Sequence, residues 1–384
     1  MNQARIRLAM MRAQTNQRIC LCMIVRDEAP AIARCIRSVR QHLPLSAWAI
    51  VDTGSVDDTP AIIRQELADL PGELVVSPWT DDYAFHRNES LALGEKTGCS
   101  WLFTIDADEL LKTTGTQQQL FPLEGHAYPF VISNDGHSFT RPLLLRAGFW
   151  RFKGVRHEKP FPQGKDLEKL IRVNSVVSSL FVDASAKDGG RTRKGGKHEC
   201  DLAALRRTLE NNPDDMDTLY NIGRTLIWLG NKDEGCEVLG KYLEKTPSNV
   251  HPYWHLQNFI ARYFLGWIGQ ENNRVDHLLR AWALCQSPEV AGQLALACLS
   301  RKDWNGVQTW VERLELSKEP KDPCYVVDRR WFGFLKWDTL FCCQWVTRHQ
   351  REAQAAARMA LGCPDLPPER CLYLMRFLVD HPAA

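Results

Sequence analysis

Apolar runs alternate with amphipathic helical patterns over the first 105 residues of this 384-residue chain, and this alternation constrains the fold more than any other feature. A β-α-β-α-β-α-β order predicts a parallel sheet with helices packed on both faces. The predicted strands are Ile19–Val25, Trp48–Val51, Leu74–Ser77 and Trp101–Ile105, and the helices between them are Ala31–His42, Thr59–Leu70 and Phe85–Thr97.

Beyond residue 120 the pattern changes twice. Shorter apolar runs predict an antiparallel continuation of the sheet at Ala127–Ser133, Arg141–Arg146 and Phe149–Phe152. From Asp201 onward nearly every segment has helical periodicity. We therefore expect an N-terminal extension (1–18), an α/β domain (19–186), a basic Gly-rich loop (187–200) and an all-helical domain (201–384).

The helical region contains one clear repeat. Pro213 and Pro247 are 34 residues apart, and a helix–turn–helix pattern with Gly230 at its turn lies between them. This spacing is typical of the tetratricopeptide repeat. Because one repeat cannot bury its own apolar face, the later and less regular helices are expected to stack on it.

Composition and charge exclude several classes of protein. The formal net charge is only +2, so no broad electrostatic field favours nucleic acid or an anionic membrane as a partner. No segment is long and apolar enough to span a membrane, and the run Leu8–Met11 is too short for the core of a signal peptide. The thirteen cysteines are scattered without metal-binding spacing, which indicates buried thiols in a reducing, cytoplasmic compartment.

An acidic cluster ends the fourth predicted strand. Asp106 and Asp108 are one residue apart, and Glu109 follows them directly. At the C-terminal edge of an open α/β sheet, where ligands bind, such a pair can hold Mg²⁺ or Mn²⁺ through its oxygen atoms. The alternative is a solvated acidic turn that starts a helix, with Glu109 as the cap of that helix.

Four segments, by their order and spacing, resemble the GT-A fold glycosyltransferases of family-two type, in particular small members followed by tetratricopeptide-like helices. They read Met-Ile-Val-Arg-Asp-Glu (23–28), Val-Asp-Thr-Gly-Ser-Val-Asp-Asp-Thr (51–59), Pro-Trp-Thr-Asp-Asp-Tyr-Ala-Phe-His-Arg-Asn (78–88) and Asp-Ala-Asp-Glu (106–109). Residues 154–158 and 188–192 resemble two further elements of that subgroup. The resemblance implies an α/β fold, a Rossmann-like mixed sheet that binds a nucleoside-diphosphate sugar, followed by an all-α domain.

The first two segments are implied to bind the nucleotide. The resemblance places Asp52 on the uracil or ribose, Glu28 near the ribose, and Val25 and Gly54 beside them. A carboxylate can accept hydrogen bonds from an imide or hydroxyl, and glycine permits close backbone approach. The residues alone also allow a structural role, in which Asp52 caps a chain reversal and Glu28 favours the start of a helix.

The third segment and the basic loop are also implied to line the nucleotide pocket. Arg87 can pair with the diphosphate, or with Asp81 or Asp82 as a structural ion pair, and Asn88 follows it. We interpret His86 as a partly exposed helix residue rather than a ligand. Arg191, in the basic loop, can close over the diphosphate or belong to a solvated linker.

The resemblance implies a metal site and leaves the catalytic base open. Asp106 and Asp108 would bridge nucleotide and metal, with Asp108 the surer ligand, and His157 would complete the shell or contact the diphosphate. Many similar enzymes carry a Glu-Asp pair after the metal motif, and this chain has none. Glu158 and Asp135 are the candidate bases, although the Asn-Asp-Gly sequence at Asp135 also favours a turn.

The sequence therefore predicts a metal-dependent, inverting glycosyltransferase that uses a nucleotide-sugar donor, most simply a UDP-sugar, and a peptide, protein or glycan acceptor. Two alternatives remain open. The first is a nucleotidyltransferase on a related fold, although no Gly-rich phosphate-binding run with a Lys follows the first strand. The second is an interaction scaffold, in which the helical domain binds a partner and the α/β domain is vestigial and inactive. Sugar transfer to nucleic-acid bases has no support from the net charge.

Overall fold

The structure is a computed structural model, and it describes residues 17–115, 123–134, 136–163, 177–186, 188–189, 196–246, 252–268, 271–318 and 327–382. The chain divides into two compact units, Met1–Thr218 and Leu219–Ala384. Each unit has its own hydrophobic core and is described separately.

The first unit begins with the predicted alternation of strands and helices. The bounds are β1 Ile19–Val25, α1 Ile32–His42, β2 Leu45–Asp52, α2 Thr59–Glu66, β3 Gly72–Val76, α3 Tyr83–Lys96 and β4 Trp101–Thr104. As expected, Pro60 lies in the first turn of α2, where its missing N–H costs no hydrogen bond. The structure confirms each element of this region, and the bounds differ from the predictions by a few residues.

Among the described residues of the first unit, six further strands and one helix lie beyond β4 and before residue 212. They are β5 Leu110–Thr113, β6 Ala127–Asn134, β7 His137–Arg146, β8 Trp150–Lys153, β9 Lys159–Pro162, β10 Val177–Asp183 and α4 Lys197–Asn211. Strands β6, β7 and β8 correspond to the three predicted runs. The helix expected after Glu109 is absent, because residues 110–113 form β5 and pair antiparallel with the distant β10.

The main sheet is mixed, with the order β3-β2-β1-β4-β7-β6-β10-β5. The first four strands are parallel to one another, and β7 then pairs antiparallel with both β4 and β6. Strands β8 and β9 form a separate antiparallel pair. This arrangement confirms the predicted fold class for the first unit, with the parallel strands first and the antiparallel continuation after them.

Strand β1 explains how both faces of the sheet are covered. Its alternate residues Ile19, Leu21, Met23 and Val25 belong to a core cluster with the apolar side of α1. The opposite face carries Cys20 and Cys22, which pack with residues of α3. A Cβ at Gly94 of α3 would lie 2.5 Å from the sulfur of Cys22, so glycine lets this helix lie close to the sheet.

The boundary between the units differs from the predicted one. Helix α4 was expected to belong with the helical domain, whereas it lies inside the first compact unit, which extends to Thr218. Asp201 of α4 explains this placement, because its buried carboxylate forms a 2.8 Å ion pair with Arg156. Arg156 also bonds to Asp81, so α4 is tied to the α/β domain by charge.

The second unit is built from successive helices. Their bounds are α5 Met216–Trp228, which crosses the boundary, α6 Lys232–Lys245, α7 Pro252–Ile268, α8 Glu271–Leu284, α9 Pro288–Ser300, α10 Trp304–Leu316, α11 Phe334–Val346, α12 Gln350–Leu361 and α13 Pro368–Asp380. Helices α7 and α8, α9 and α10, and α11 and α12 pack against each other as neighbouring pairs. The prediction of stacked helical hairpins is confirmed for the described helices.

The predicted repeat is the α5–α6 hairpin. Gly230 adopts a φ of 88° at the turn, a conformation that L side chains rarely adopt. A Cβ at Gly223 would lie 2.8 Å from Leu239, and one at Gly235 would lie 2.6 Å from Ile227. The two glycines therefore allow the helices of this hairpin to pack closely.

Among the described residues, no helix is long and apolar enough to cross a membrane. The twelve described cysteines are all free thiols, and those of β1 are fully buried. Cys20 and Cys22 are buried free thiols, as the sequence predicted for its cysteines.

Glu289 gives the second unit a predictable pH dependence. Burial raises the pKa of this carboxyl from 4.5 to about 7, although its Oε1 accepts a 3.1 Å hydrogen bond from the Asp328 N–H. The folded state therefore holds a proton that the unfolded state releases, and stability falls as the pH rises from 4.5 to 7. A shift of this size corresponds to about 3 kcal/mol.

We expect Glu289→Gln to be more stable than the wild type by up to about 3 kcal/mol at pH 8.5, and equal to it near pH 4.5. Urea unfolding followed by tryptophan fluorescence measures this, because nine of the thirteen tryptophans lie after Thr218. The exposed Glu312→Gln is the matched control. An equal difference at both pH values would contradict the assignment.

Candidate functional site

The candidate site lies at the C-terminal edge of the parallel strands. Strand β1 is flanked by β2 and β4, and Val25 is in register with Asp52 at the ends of β1 and β2. Asp106 follows the end of β4 on the other side of β1. The sheet therefore brings the segments after β1, β2 and β4 together at the edge where open α/β sheets bind ligands.

The loops after β1 and β2 are joined to each other. Asp27 adopts a φ of 57°, which turns the first loop towards the second. Hydrogen bonds that connect them include Asp27 N to Ser55 Oγ (3.0 Å), Val56 N to Asp27 Oδ1 (2.9 Å), Glu28 N to Thr59 Oγ1 (2.7 Å) and Ala29 N to Asp57 Oδ2 (3.1 Å). The two loops thus form one wall of the site, which here is called the paired-loop wall (residues 26–31 and 53–59).

Asp52 shapes this wall. Its Oδ1 accepts hydrogen bonds from the N–H groups of Gly54 (3.1 Å) and Ser55 (2.8 Å), so the structural alternative raised by the sequence, a capped chain reversal, is formed. Within the described residues no hydrogen bond involves its Oδ2, so the same side chain can also meet a ligand. Gly54 has a φ of 104°, which only glycine adopts without strain. Val25 supports the turn by accepting the N–H of Thr53 at 2.9 Å.

Arg87 lies between two carboxylates. Its Nη2 donates to Asp106 Oδ1 and its Nε donates to Glu158 Oε1, both at 2.6 Å, and its side chain is only 12% exposed. Burial opposes the charge of Arg87, but the carboxylates of Asp106 and Glu158 outweigh it and raise the pKa of the guanidinium. The alternative of a structural ion pair with Asp81 or Asp82 is therefore not what forms. Arg87 instead joins α3 to the segments after β4 and β8.

The two other acids have structural partners of their own. Asp81 pairs with Arg156 and Arg207, and Asp82 caps α3 by accepting the Phe85 N–H at 3.0 Å. Arg156 lies in the segment between β8 and β9 and also pairs with Asp201 of α4, which holds it beside Asp81. This leaves Arg87 to the buried carboxylates.

A second arginine binds the acidic cluster. Arg141 of β7 donates to Glu109 Oε2 at 2.5 Å and lies 3.4 Å from Asp106 Oδ2. Burial disfavours ionisation of Asp106, but the positive charges of Arg87 and Arg141 outweigh the effect of burial. They lower the pKa of Asp106 well below its ordinary value. Burial raises the pKa of Glu109 to about 7 despite Arg141. The expected role of Glu109 as a helix cap is wrong, because a strand follows it. Its carboxylate instead accepts the Asp106 N–H at 3.0 Å and closes the turn before β5.

Asp108 differs from both neighbours. Within the described part of the chain, no side chain forms an ion pair or hydrogen bond with its carboxylate. Burial, and then the negative charges of Asp106 and Asp188, raise the pKa of this carboxyl. Four acids lie in this cluster with two arginines: Asp106, Asp108, Glu109 and Glu158 with Arg87 and Arg141. The excess of carboxylates suits a bound cation, and Asp108 is the acid with oxygen atoms to offer it.

The predicted metal shell is not preformed. No three His, Cys, Asp or Glu side chains among the described residues are placed together to hold a metal ion, and this includes Asp106, Asp108 and His157. His157 adopts a φ of 55° in the segment after β8. The donor set fits a cation held by Asp108 together with phosphate oxygens of a ligand, which is a common arrangement for Mg²⁺.

Asn88 and His86 hold the framework around the site. The Asn88 amide donates to the Phe152 carbonyl (3.0 Å) and accepts the Phe152 N–H (2.7 Å), and so attaches β8 to α3. His86 is fully buried rather than partly exposed, because its ring stacks on Trp79 and its nitrogens contact Glu89 (2.8 Å) and Thr80 (3.1 Å). Both ring nitrogens of His86 therefore have partners within the domain.

With this geometry in place, comparison with known families is decisive for the first unit. Residues 20–169 match the family described as glycosyl transferase family 2. These residues form a family 2 glycosyltransferase domain. The match covers β1 to β9 and includes Asp52, Arg87, Asp106, Asp108, His157 and Glu158.

One curated relative extends the comparison. A TPR repeat-containing protein of Synechococcus elongatus is 40% identical over 224 residues, which are 55% of this chain and 53% of that protein. The chain thus spans about half the length of this relative.

Solved structures also resemble this chain. MamA is 15% identical over 50% of this chain and 96% of its own, with a TM-score of 0.32. A thermophilic TPR protein of Thermus thermophilus is 16% identical over 48% of this chain and 92% of its own, with a TM-score of 0.33. Because these scores are low, the repeat character of the second unit rests on its own helix pairs.

The family 2 domain contains two functional candidates that the sequence did not indicate, Arg141 and Arg34. Arg141 lies in the polar first half of β7, which reads His-Ser-Phe-Thr-Arg-Pro, so no local pattern marked it. Arg34 lies on α1 without any local motif, and its partner Asp188 is 154 residues away. Two predicted site residues, Asp135 and Arg191, lie outside the described residues, so their roles stay predictions.

Proposed function

We propose that this protein is a glycosyltransferase that moves a sugar from a nucleoside-diphosphate donor, UDP-linked in the simplest case, to an acceptor hydroxyl or thiol. The transfer would invert the anomeric carbon and depend on Mn²⁺ or Mg²⁺. One observation carries the proposal: a half-buried Asp108 without an ion-pair partner among the described residues lies at the binding edge of a family 2 domain. That is where a cation bound to the donor's diphosphate would be held.

The paired-loop wall would bind the nucleoside. Asp52 Oδ2 would accept a hydrogen bond from the imide of the base or from a ribose hydroxyl, while Oδ1 keeps the loop in shape. Glu28, in the loop before α1, would lie beside the ribose. The fixed backbone at Gly54 would let the nucleotide approach the loop closely.

Asp108 would hold the cation, with the donor's phosphates as further ligands. When bound, the cation supplies Lewis-acid stabilisation of the charge that develops on the departing nucleoside diphosphate. Arg87 and Arg141 would keep Asp106 ionised and fixed, since each binds one of its oxygens. Asp106 would thereby orient the turn that carries Asp108.

Glu158 is the candidate general base for the acceptor. Arg87 Nε holds its Oε1, which orients the carboxylate and leaves Oε2 to accept the acceptor's proton. The acceptor oxygen or sulfur would then attack the anomeric carbon as the bond to the diphosphate breaks. Asp135 remains the second candidate for this role.

We expect Glu158→Gln to lower kcat about 100-fold and to leave the KM for the donor unchanged, because an amide keeps the contact with Arg87 but cannot accept the proton. Steady-state kinetics with saturating cation measure both quantities. Glu73→Gln, at an exposed position at the start of β3, is the control. A kcat within about threefold of the wild type would remove Glu158 from the mechanism.

The acceptor would be a peptide, a protein or a glycan. Surfaces formed by stacked helical hairpins commonly bind peptides and proteins, which supports the polypeptide choice. A cytoplasmic location stays a prediction from the sequence.

A screen of nucleotide sugars with Mn²⁺ or Mg²⁺ tests the proposal. We expect one donor to be hydrolysed slowly, with release of the nucleoside diphosphate. Release of pyrophosphate would favour a nucleotidyltransferase. Calorimetry that shows no cation-dependent binding of UDP or any other nucleoside diphosphate would favour an interaction scaffold.

A further inference from the structure

Arg34 and Asp188 form a clasp across the first unit. The Arg34 Nη1 donates to Asp188 Oδ2 and its Nη2 donates to Asp188 Oδ1, both at 2.5 Å. Arg34 lies in the first turn of α1, whereas Asp188 follows β10. This fork geometry is the most directional form of an arginine–carboxylate pair.

The clasp reaches the candidate cation ligand from two sides. Arg34 Nη2 also lies 3.4 Å from the main-chain oxygen of Asp108. On the other side, a Cβ built at Gly189 would lie 2.2 Å from Asp108 Oδ2 and 2.8 Å from its Cγ. The chain at Gly189 therefore packs directly against the Asp108 carboxylate, and a larger residue there would have to displace this side chain.

From this geometry we propose that Arg34 and Asp188 are positioning residues for Asp108. By fixing the chain at Gly189, the clasp sets the direction in which the Asp108 carboxylate faces the bound cation and the donor's diphosphate. This inference rests on the proposed function for the role of Asp108. If Arg34 and Asp188 position Asp108, the site depends on two residues that are 154 positions apart in the chain.

A general structural role would not explain the placement. Both side chains of the pair are 37% exposed, and exposed ion pairs contribute little to global stability. Arg37, one turn further along α1, forms a similar forked pair with Glu66 but has no contact with the acidic cluster. The contact with Asp108 distinguishes the clasp from this ordinary surface pair.

The test compares Arg34→Gln, Asp188→Asn and the exchange Arg34→Asp with Asp188→Arg in the full-length chain. We expect each single variant to raise the Mn²⁺ concentration needed for half-maximal donor hydrolysis about tenfold, with kcat at saturating Mn²⁺ nearly unchanged. The exchanged pair should recover most of the loss. Arg37→Gln is the matched control and should behave as the wild type.

Gly189→Ala keeps both charges of the clasp and disturbs only the contact with Asp108. We expect the same weakened Mn²⁺ dependence, because the added methyl group must displace the carboxylate. Unchanged Mn²⁺ dependence in the single variants and in Gly189→Ala would overturn the proposal. So would an equal loss in Arg37→Gln.

Hydrogen exchange of residues 106–113 in the protein without cation or nucleotide gives a readout that needs no activity. We expect faster exchange in Arg34→Gln and Asp188→Asn, with unchanged exchange in α1 and an unchanged thermal midpoint. Exchange that stays at the wild-type rate would count against the clasp. If the wild type hydrolyses no donor but this difference is found, the proposed function fails and the clasp stands.

Discussion

Asp108→Asn is expected to abolish cation-dependent donor turnover, with a loss of about 10³-fold or more. The substitution keeps the size of the side chain and removes the charge that would hold the cation. Because burial and Asp106 already disfavour ionisation of Asp108, the neutral variant should fold at least as stably as the wild type. Activity and stability are thus expected to change in opposite directions, which separates loss of function from unfolding.

Two measurements check this result. Donor hydrolysis should lose its dependence on Mn²⁺, and UDP with Mn²⁺ should no longer raise the thermal midpoint of the variant. Asp69→Asn is the control, because Asp69 precedes β3 at the opposite edge of the sheet and forms an exposed pair with Arg40. Normal Mn²⁺-dependent turnover by the Asp108→Asn protein would refute the assignment of the cation site.

The largest expected effect on stability is that of Arg87→Met. This change leaves the mostly buried Glu158 and the 35% exposed Asp106 without their shared partner, and breaking a buried ion pair in this way costs about 3–5 kcal/mol. Burial, opposed chiefly by Arg141, should then raise the pKa of Asp106. The stability deficit of the variant relative to the wild type is therefore expected to shrink as the pH falls and Asp106 takes up a proton.

Chemical unfolding of the variant and the wild type at pH 7.5 and pH 5 measures this prediction. Adding Glu158→Gln to Arg87→Met should restore part of the loss, since one unpaired charge is then removed. Arg64→Met, at an exposed position on α2, should cost little. A loss for Arg87→Met that is as small as that of the control, or that does not shrink at low pH, would show that Arg87 is not needed to balance the buried acids.

The sequence predicts the parallel part of the fold because its signals are local. Strand β1 is found at its predicted bounds, and the Asp106–Asp108 pair is correctly placed directly after a buried strand. Strand β5 was missed because its four residues are stabilised by a partner 67 or more residues away, in β10. Nothing near Glu109 distinguishes such a strand from the start of a helix.

The ion pairs of the site could not be predicted for the same reason. Arg87 has three acids within six residues, namely Asp81, Asp82 and Glu89, yet it binds Glu158, 71 residues further along the chain. The choice depends on how the β8–β9 hairpin folds back on α3, which Asn88 fixes through the Phe152 main chain. Residue type alone gives the charge of each side chain, and the tertiary structure selects its partner.

The paired-loop wall has a consequence for engineering. Main-chain N–H groups of each loop (residues 26–31 and 53–59) donate to side-chain oxygens of the other loop. Lengthening either loop would therefore leave polar groups of the other without hydrogen-bond partners. A graft intended to alter the preferred base should therefore exchange both stretches as a single cassette. Libraries that randomise one stretch alone would sample mostly chains with a damaged scaffold.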